Sequence, residues 1–276
     1  MTEQALSSYV AVVATRFRTL LQYRTAAIAG IATQIFWGFV KLMVLGAFYA
    51  VLEEPPPMSF EAIVVYVWLG QCLFALFPIN VDPELRGMFR TGSVAYELLR
   101  PLNLYAFWWA RTLAFRTAPT LLRSVPGLIF AFLILRLLGL DDWVMPPPAS
   151  VLSFVGFSIS LILAIALSCS ILMILNLSMF WLVDARGTVA LATGFVWVLS
   201  GMIIPLPLFP DWTQSILFWQ PFRGLCDVPF RIYSGDIAAN AMFAEIALQM
   251  CWTLVMLVIG LGLERQARRK LSVQGG

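Results

Sequence analysis

The segment VDPELRGMFRTGSVAYELLRPLNLYAFWWARTLAFR, from Val81 to Arg116, is the longest charge-rich stretch of an otherwise strongly apolar chain. Apolar runs lie on both sides of it, at about residues 60–79 and 119–140. Loops rich in arginine between apolar spans usually face the cytoplasm. The segment therefore predicts a cytoplasmic loop that joins two membrane spans. Its charged residues are Asp82, Glu84, Arg86, Arg90, Glu97, Arg100, Arg111 and Arg116.

The composition places the chain among integral membrane proteins. It has 276 residues, of which 61% are hydrophobic and 12% are charged, and its mean hydropathy is +0.86. Soluble domains are about 25% charged, and several apolar runs here approach the roughly 20 residues of a membrane helix. The net charge of +3 is too small to indicate nucleic-acid binding. We therefore predict an all-α membrane protein with a single domain over residues 1–276.

The hydrophobic runs predict six transmembrane helices, with an amphipathic helix at 5–27 on the membrane surface before them. A helix with one soluble face is the alternative for 5–27. Most arginines lie at the two ends, in the 81–116 loop and in the 184–187 turn. Both termini are therefore expected in the cytoplasm. The predicted spans are 28–52, 60–79, 119–140, 151–183, 188–204 and 237–263.

Local signals within the charged loop predict two short helices. Asp82 suits the N-cap position, and Pro83 and Glu84 suit the first turn of a helix. Gly92 and Pro101 are expected stops. These signals place one short helix near 83–91 and a second near 93–99.

Residues 205–236 are too apolar for a free loop and too rich in proline for a regular span. Such a segment is compatible with membrane depth where protein or a wet cavity satisfies its backbone. We predict a re-entrant pair of short helices at the outer surface.

Three polar residues lie within the predicted spans. Intramembrane charges are costly, so Lys41, Gln71 and Glu245 are expected to face the interior of the bundle. A Lys41–Gln71 contact or a Lys41–Glu245 ion pair is the corresponding prediction. Structural pairing is favoured over recognition of a bound molecule.

The sequence lacks the residues that most catalytic sites need. It has no histidine, and its four cysteines form no CxxC pair. Only two lysines are present, Lys41 and Lys270, and neither follows a nucleotide-binding glycine motif. We therefore expect no catalytic, cofactor or metal site in the chain. A membrane subunit that is driven by another protein is the favoured interpretation.

Two segments carry a resemblance to a known family. The run Gly92–Pro101 contains a Gly…Leu-Leu-Arg-Pro pattern, and Leu199–Trp212 contains a Ser-Gly…Pro…Phe-Pro pattern. In both, the chain resembles the permease subunits of type-two ABC exporters, most closely the bacterial subgroup with six spans. The resemblance covers nearly the whole chain.

The resemblance implies a bacterial inner-membrane exporter. Its partners would be two ATPase subunits, which bind ATP and Mg, a second permease that is identical or paralogous, and membrane lipid. The loop at 81–116 would dock the ATPase as a coupling helix, although these charges would also be explained by loop solvation and topology. The implied contact residues are Glu84, Leu85, Arg86, Phe89, Glu97, Leu98 and Arg100.

The segment 205–236 would, by the same resemblance, cover the exit of the pathway. Its aromatic residues would line or seal that exit, or would simply form an interfacial belt. They are Phe209, Trp212, Phe218, Trp219 and Phe222.

Two further function classes remain open. One is an intramembrane enzyme acting on lipids, although the chain lacks a positioned base. The other is an ion-coupled transporter in which Lys41 and Glu245 carry charge. An amphipathic or lipid-linked cargo is expected, without a specific identity.

Overall fold

The computed structural model describes residues 3–22, 24–99, 102–182 and 186–274, and within these ranges the regular structure is entirely helical. Ten helices are named here in chain order, and short 3-10 turns join several of them. They are α1 (Glu3–Leu20), α2 (Arg24–Ala50), α3 (Phe60–Cys72), α4 (Pro83–Thr91), α5 (Leu104–Leu137), α6 (Val151–Ser178), α7 (Arg186–Leu199), α8 (Asp211–Trp219), α9 (Asp227–Ser234) and α10 (Ala239–Gln274).

Four of these helices are long and apolar enough to cross a membrane, namely Ala27–Ala50, Leu104–Leu137, Val151–Ser178 and Ala239–Arg269. The helices α3 and α7 are apolar but have only 13 and 14 residues. Thirteen residues rise about 20 Å, less than the roughly 30 Å of a hydrocarbon core. The helices at the predicted spans 60–79 and 188–204 are thus shorter than the sequence suggested.

The helix α5 begins before the third predicted span. The sequence indicated a span from Pro119, with Tyr105, Trp108 and Trp109 in an interfacial helix that leads into it. The helix begins at Leu104, where the side chain of Asn103 accepts a hydrogen bond from the amide of Ala106 (2.9 Å). Pro119 lies inside the helix, and a π-helical turn follows at Phe130–Ile134. Membrane helices tolerate proline because local adjustments satisfy the freed carbonyls. The interfacial helix and the span therefore form one continuous helix.

The short helix α3 lies at the centre of the bundle. Every residue from Ala62 to Cys72 is buried, as expected of a helix that is apolar on all sides. Trp68 packs edge-on against Phe39 of α2 and lies 5.7 Å from the ring of Phe130 in α5. Its indole N–H donates to the carbonyl of Trp143 (2.9 Å). This helix is therefore the core around which the longer helices pack.

The long helices α6 and α10 approach each other closely through small residues. A Cβ added at Gly156 would lie 2.2 Å from the sulfur of Met242, and the hydroxyl of Ser160 donates to the side chain of Gln249 (2.7 Å). Small residues recur at every fourth position of α6, at Gly156, Ser160, Ala164 and Ser168, and this spacing lets another helix approach closely. The pair fixes the last helix against the bundle.

The bundle has two distinguishable ends. The helix α4 and the chain near Phe180 lie at one end, which we name the charged end. The segment 205–236 lies at the opposite end, where the carbonyl of Tyr233 accepts from the amide of Ala149 (3.1 Å). The long helices run between these two ends.

Candidate functional site

The helix α4 has the caps that the sequence predicted. The carboxylate of Asp82 accepts a hydrogen bond from the amide of Glu84 (2.9 Å), and Pro83 occupies the first turn. Gly92 ends the helix with a φ of 72°, a left-handed conformation that glycine adopts without steric cost. A second short helical segment follows at Ser93–Leu99. The charged segment therefore contains a short, well-defined helix with capped ends.

Two arginines from other helices converge on the first turn of α4. Arg16 of α1 lies 3.2 Å from the carboxylate of Asp82 and also pairs with Glu84. Arg111 of α5 lies 3.3 Å from Asp82 and 3.2 Å from Glu84. The side chains of Asp82 and Arg111 are only 2% and 7% exposed, so this is a buried cluster. We name these four residues the arginine clamp.

The inner face of α4 is anchored by apolar contacts. Leu85 is completely buried among residues of the neighbouring elements, including Trp108 of α5. The ring of Phe89 meets that of Phe180 edge-on at 4.6 Å and that of Trp108 at 5.9 Å. Glu97 is also buried and accepts a hydrogen bond from the indole N–H of Trp108 (3.5 Å). Leu85, Phe89 and Glu97 thus face the bundle.

The outer face of α4 presents a different set of side chains. Arg86, Arg90 and Thr91 are exposed, and Tyr96 in the following turn is 72% exposed. Of the other residues expected to contact an ATPase, Arg100 and the side chain of Leu98 lie outside the described part of the structure. The seven residues proposed from sequence therefore have different environments. Arg86 faces outward, and the side chain of Glu84 is 53% exposed although it belongs to the arginine clamp. Leu85, Phe89 and Glu97 contact the bundle.

Another arginine connects the chain before α4 to α5. Arg116, which is 4% exposed, donates to the carbonyls of Phe77 (2.8 Å) and Ala75 (3.3 Å) and also to that of Asn80. These carbonyls lie in the chain that follows α3. Arg111 and Arg116 lie on the same helix, so α5 contacts both the first turn of α4 and the chain that leaves α3.

Lys41 has a partner that the sequence did not predict. Its ammonium donates to the backbone carbonyl of Met202, next to the sharp turn at Gly201. Gln71 is buried and borders a small cavity beside Arg123 and Gly127. The predicted Lys41–Glu245 pair was wrong, because Glu245 pairs elsewhere. The Lys41–Gln71 contact is likewise replaced by the backbone contact of Lys41.

The segment 205–236 contains a network of charges at the end of the bundle opposite α4. Arg223, which is 5% exposed, lies 3.0 Å from Glu245 of α10 and 3.4 Å from Asp227 of α9. Arg231 lies 3.4 Å from Asp227 and 2.5 Å from Asp236. The network fastens the two short helices of this segment to the last long helix. Glu245 is thus neutralised by a residue from the proline-rich segment.

The aromatic residues of this segment occupy two environments. Trp212 and Trp219 are 77% and 64% exposed, whereas Phe222 packs against the core around α3. Phe218 lies 5.1 Å from Trp219, and the guanidinium of Arg223 lies 4.8 Å from its ring. Phe209 is half-buried beside the turn at Leu206. The group therefore does not form one continuous surface.

A cavity of about 420 Å³ lies beside this network, bordered by Phe218, Trp219 and the charged side chains of Arg223, Asp227 and Glu245. A larger cavity of about 1090 Å³ lies beside the C-terminal end of α2 and the N-terminal end of α3. It combines apolar walls, such as Leu42 and Phe60, with the charged groups of Arg136 and Asp142. Both cavities offer apolar and charged surface together, as an amphipathic molecule requires.

Sequence reasoning missed most of the residues that hold these sites together. In the sequence analysis, Arg16 and Arg111 indicated only the membrane topology. Their positive charge could have indicated ion pairs with Asp82 and Glu84. Gln249 was overlooked in the last span, where it donates to the carbonyls of Ser160 (2.9 Å) and Gly224 (2.8 Å). Its polar side chain within an apolar run was the available signal.

Four helices long and apolar enough to cross a membrane indicate a multi-pass membrane protein. Residues 35–275 match the family described as ABC-2 family transporter protein, and the chain belongs to that family. It is therefore a permease subunit of an ABC transporter. A comparison with curated proteins found no match. The match confirms the family resemblance noted from the sequence. Arg16 of the arginine clamp lies before the matched range.

Proposed function

We propose that this permease is driven by a separate ATPase subunit that docks on the outer face of α4. The observation that supports this is the two-sided character of that helix. Its inner face is anchored through Leu85 and Phe89, while Arg86 and Arg90 are exposed on its outer face. A helix that is capped at both ends and braced from behind can transmit a displacement without bending.

Docking on this face would move the bundle through the arginine clamp. A push on α4 passes by Asp82 to Arg111 of α5, and Arg116 carries it to the end of α3. Charged residues at a docking rim give orientation and fast association, while a partly exposed aromatic such as Tyr96 supplies contact area. The ATPase would bind ATP and Mg, and two copies would serve a pair of permeases, identical or paralogous.

The proposed cargo is an amphipathic or lipid-like molecule that leaves a bacterial cytoplasm across the inner membrane. The family resemblance and the mixed apolar and charged walls of the two cavities support this class. The distribution of arginines supports a cytoplasmic location for the charged end and both termini. In this arrangement the chain crosses the membrane six times. Four crossings are the long helices, and the other two are α3 and α7, each extended by the irregular residues that follow it.

Replacing both outward arginines tests the docking face. The permease is co-expressed with a candidate cognate ABC ATPase, and association and ATP hydrolysis are measured in proteoliposomes. Arg86→Ala/Arg90→Ala should weaken association about tenfold, or about 1.4 kcal/mol, and lower coupled hydrolysis. Arg265→Ala, an exposed arginine of α10 outside α4, is the matched control. Full ATP-driven transport by the double variant would reject the proposed face.

A complementary variant separates docking from folding. Leu85→Ala removes a completely buried side chain and should cost about 2–5 kcal/mol of stability. We therefore expect this variant to unfold more easily, whereas the double arginine variant keeps normal stability. Transport that follows a proton gradient without nucleotide and is abolished by Glu245→Gln would instead favour the ion-coupled class.

A further inference from the structure

An open apolar groove lies between α1, α5 and α10 at the charged end. Its volume is about 900 Å³, within the range of small-molecule sites. Three helices line it: α1 contributes Val13 and Phe17, α5 contributes Trp109 and Leu113, and α10 contributes Leu261. The groove is thus formed by the predicted interfacial helix and two of the helices that are long enough to cross the membrane.

The position of α1 keeps this groove open. Arg16 ties one face of α1 to Asp82 and Glu84, and the hydroxyl of Tyr9 accepts a hydrogen bond from the amide of Asn103 (3.1 Å). Arg18 follows Arg16 by two residues, about 200° around the helix, so it points to a different side. The clamp therefore fixes α1 against α5, and the groove lies along this contact.

One charged group marks where the groove would meet a ligand with a negative charge. Arg18 is the charged residue among those that line it, and its side chain is exposed. The other side chains that line the groove are apolar or aromatic. Basic and aromatic side chains are both common where membrane helices meet lipid headgroups.

We propose that this groove binds a membrane phospholipid with an anionic headgroup. One acyl chain lies in the apolar groove between α1, α5 and α10, and the phosphate region is held by Arg18 at its edge. In a bilayer an apolar groove of this size is filled by acyl chains, and the cation at its edge selects for negative charge. Because α1 also carries Arg16, the bound lipid would stabilise the helix that braces α4.

The site can be tested by photo-crosslinking in nanodiscs. The probes are phosphatidylglycerol and phosphatidylcholine that carry a diazirine in one acyl chain, and labelled peptides are mapped by mass spectrometry. We expect phosphatidylglycerol to label residues 9–17 and 106–113 preferentially. Arg18→Gln should lower the preference for phosphatidylglycerol over phosphatidylcholine about fivefold, the effect of one basic residue at a membrane surface.

Filling the groove provides an independent test. Ala14→Trp places a large side chain in the groove and should abolish labelling there, whereas Ala32→Trp, at an exposed position of α2 outside it, should not. If Ala14→Trp proves unstable, Leu113→Trp fills the groove from α5. Uniform labelling of all exposed helices, or unchanged labelling after Arg18→Gln and groove filling, would overturn the proposal. Crosslinks to a second permease copy would do so as well.

This experiment uses the permease alone and needs no ATPase or transported molecule. A negative result would therefore leave the proposed docking face on α4 unaffected, and failure of that docking face would leave the lipid site unaffected.

Discussion

The guanidinium of Arg111 lies 3.3 Å from the carboxylate of Asp82, and both side chains are almost completely buried. Asp82 also caps α4 and pairs with Arg16 at 3.2 Å. One carboxylate therefore starts the helix and joins it to α1 and α5. Removing one partner of a buried ion pair is costly because the other charge is left unpaired.

Asp82→Ala should consequently destabilise the permease by about 3–5 kcal/mol, the cost of leaving a buried partner unpaired. Asp82→Asn keeps an acceptor for the helix cap, which is worth about 1 kcal/mol, and should be less damaging. The free energy of unfolding in detergent micelles measures both effects. If Asp82→Ala were as stable as the wild type, the arginine clamp would have no structural role.

The stability of the clamp should also depend on pH through Glu84. Partial burial acts to raise the pKa of Glu84, but the hydrogen bond from Arg16 and the charge of Arg111 outweigh it and lower the pKa below its ordinary value of 4.5. A lowered pKa means that the ionised form is favoured in the folded state. Its contribution is complete above about pH 4.5 and is lost as the pH falls through the lowered value.

Glu84→Gln should therefore be less stable than the wild type from pH 8 to pH 5, by a constant amount. The difference should shrink as the pH falls below 4.5. Thermal unfolding of both proteins across this range provides the measurement, with Glu53→Gln, in an exposed turn, as the control. A difference that grows at low pH would contradict the sign worked out for this pair.

Local chemistry was readable from the sequence, whereas tertiary partners were not. The caps of α4 follow from Asp82, Pro83 and Gly92, because each acts on its own backbone or that of its neighbours. The partner of Lys41 is a backbone carbonyl, at Met202, and a carbonyl gives no signal in the residue type. Glu245 was recognised as buried, but Arg223 was assigned to an irregular segment and was not considered as its partner.

Hydropathy located the apolar runs but did not fix where their helices end. The run after Phe60 is apolar to Ile79, yet α3 ends at Cys72 and the following carbonyls are bound by Arg116. That interaction joins residues almost 40 positions apart and overrides the local pattern. In α5 the apolar run begins near Pro119, whereas the helix extends back through Arg116 and Arg111 to Leu104.

The turn at Gly201 should be highly sensitive to substitution. Gly201 has a φ of 86°, and a Cβ there would lie 2.0 Å from the hydroxyl of Tyr66. Gly201→Ala should therefore lose about 1–3 kcal/mol from overpacking, in addition to the backbone strain of a left-handed alanine. Gly194→Ala is the matched control, since its Cβ would meet nothing within 4 Å and the site is helical. Equal stability of the two variants, measured by thermal unfolding, would contradict this reading of the turn.

Gln249 should determine how firmly the segment 205–236 is held to the bundle. Its amide N–H groups donate to the carbonyls of Ser160 and Gly224, so one side chain links α10, α6 and the proline-rich segment. Gln249→Leu keeps the volume but leaves these carbonyls without that donor, and hydrogen bonds between membrane helices contribute about 0.6–1.7 kcal/mol. We expect a loss of that size and faster hydrogen exchange at residues 221–234, whereas Met250→Leu, at an exposed neighbouring position, should change neither. Unchanged exchange in the Gln249→Leu variant would mean that the ion pair of Arg223 with Glu245 suffices to hold this segment.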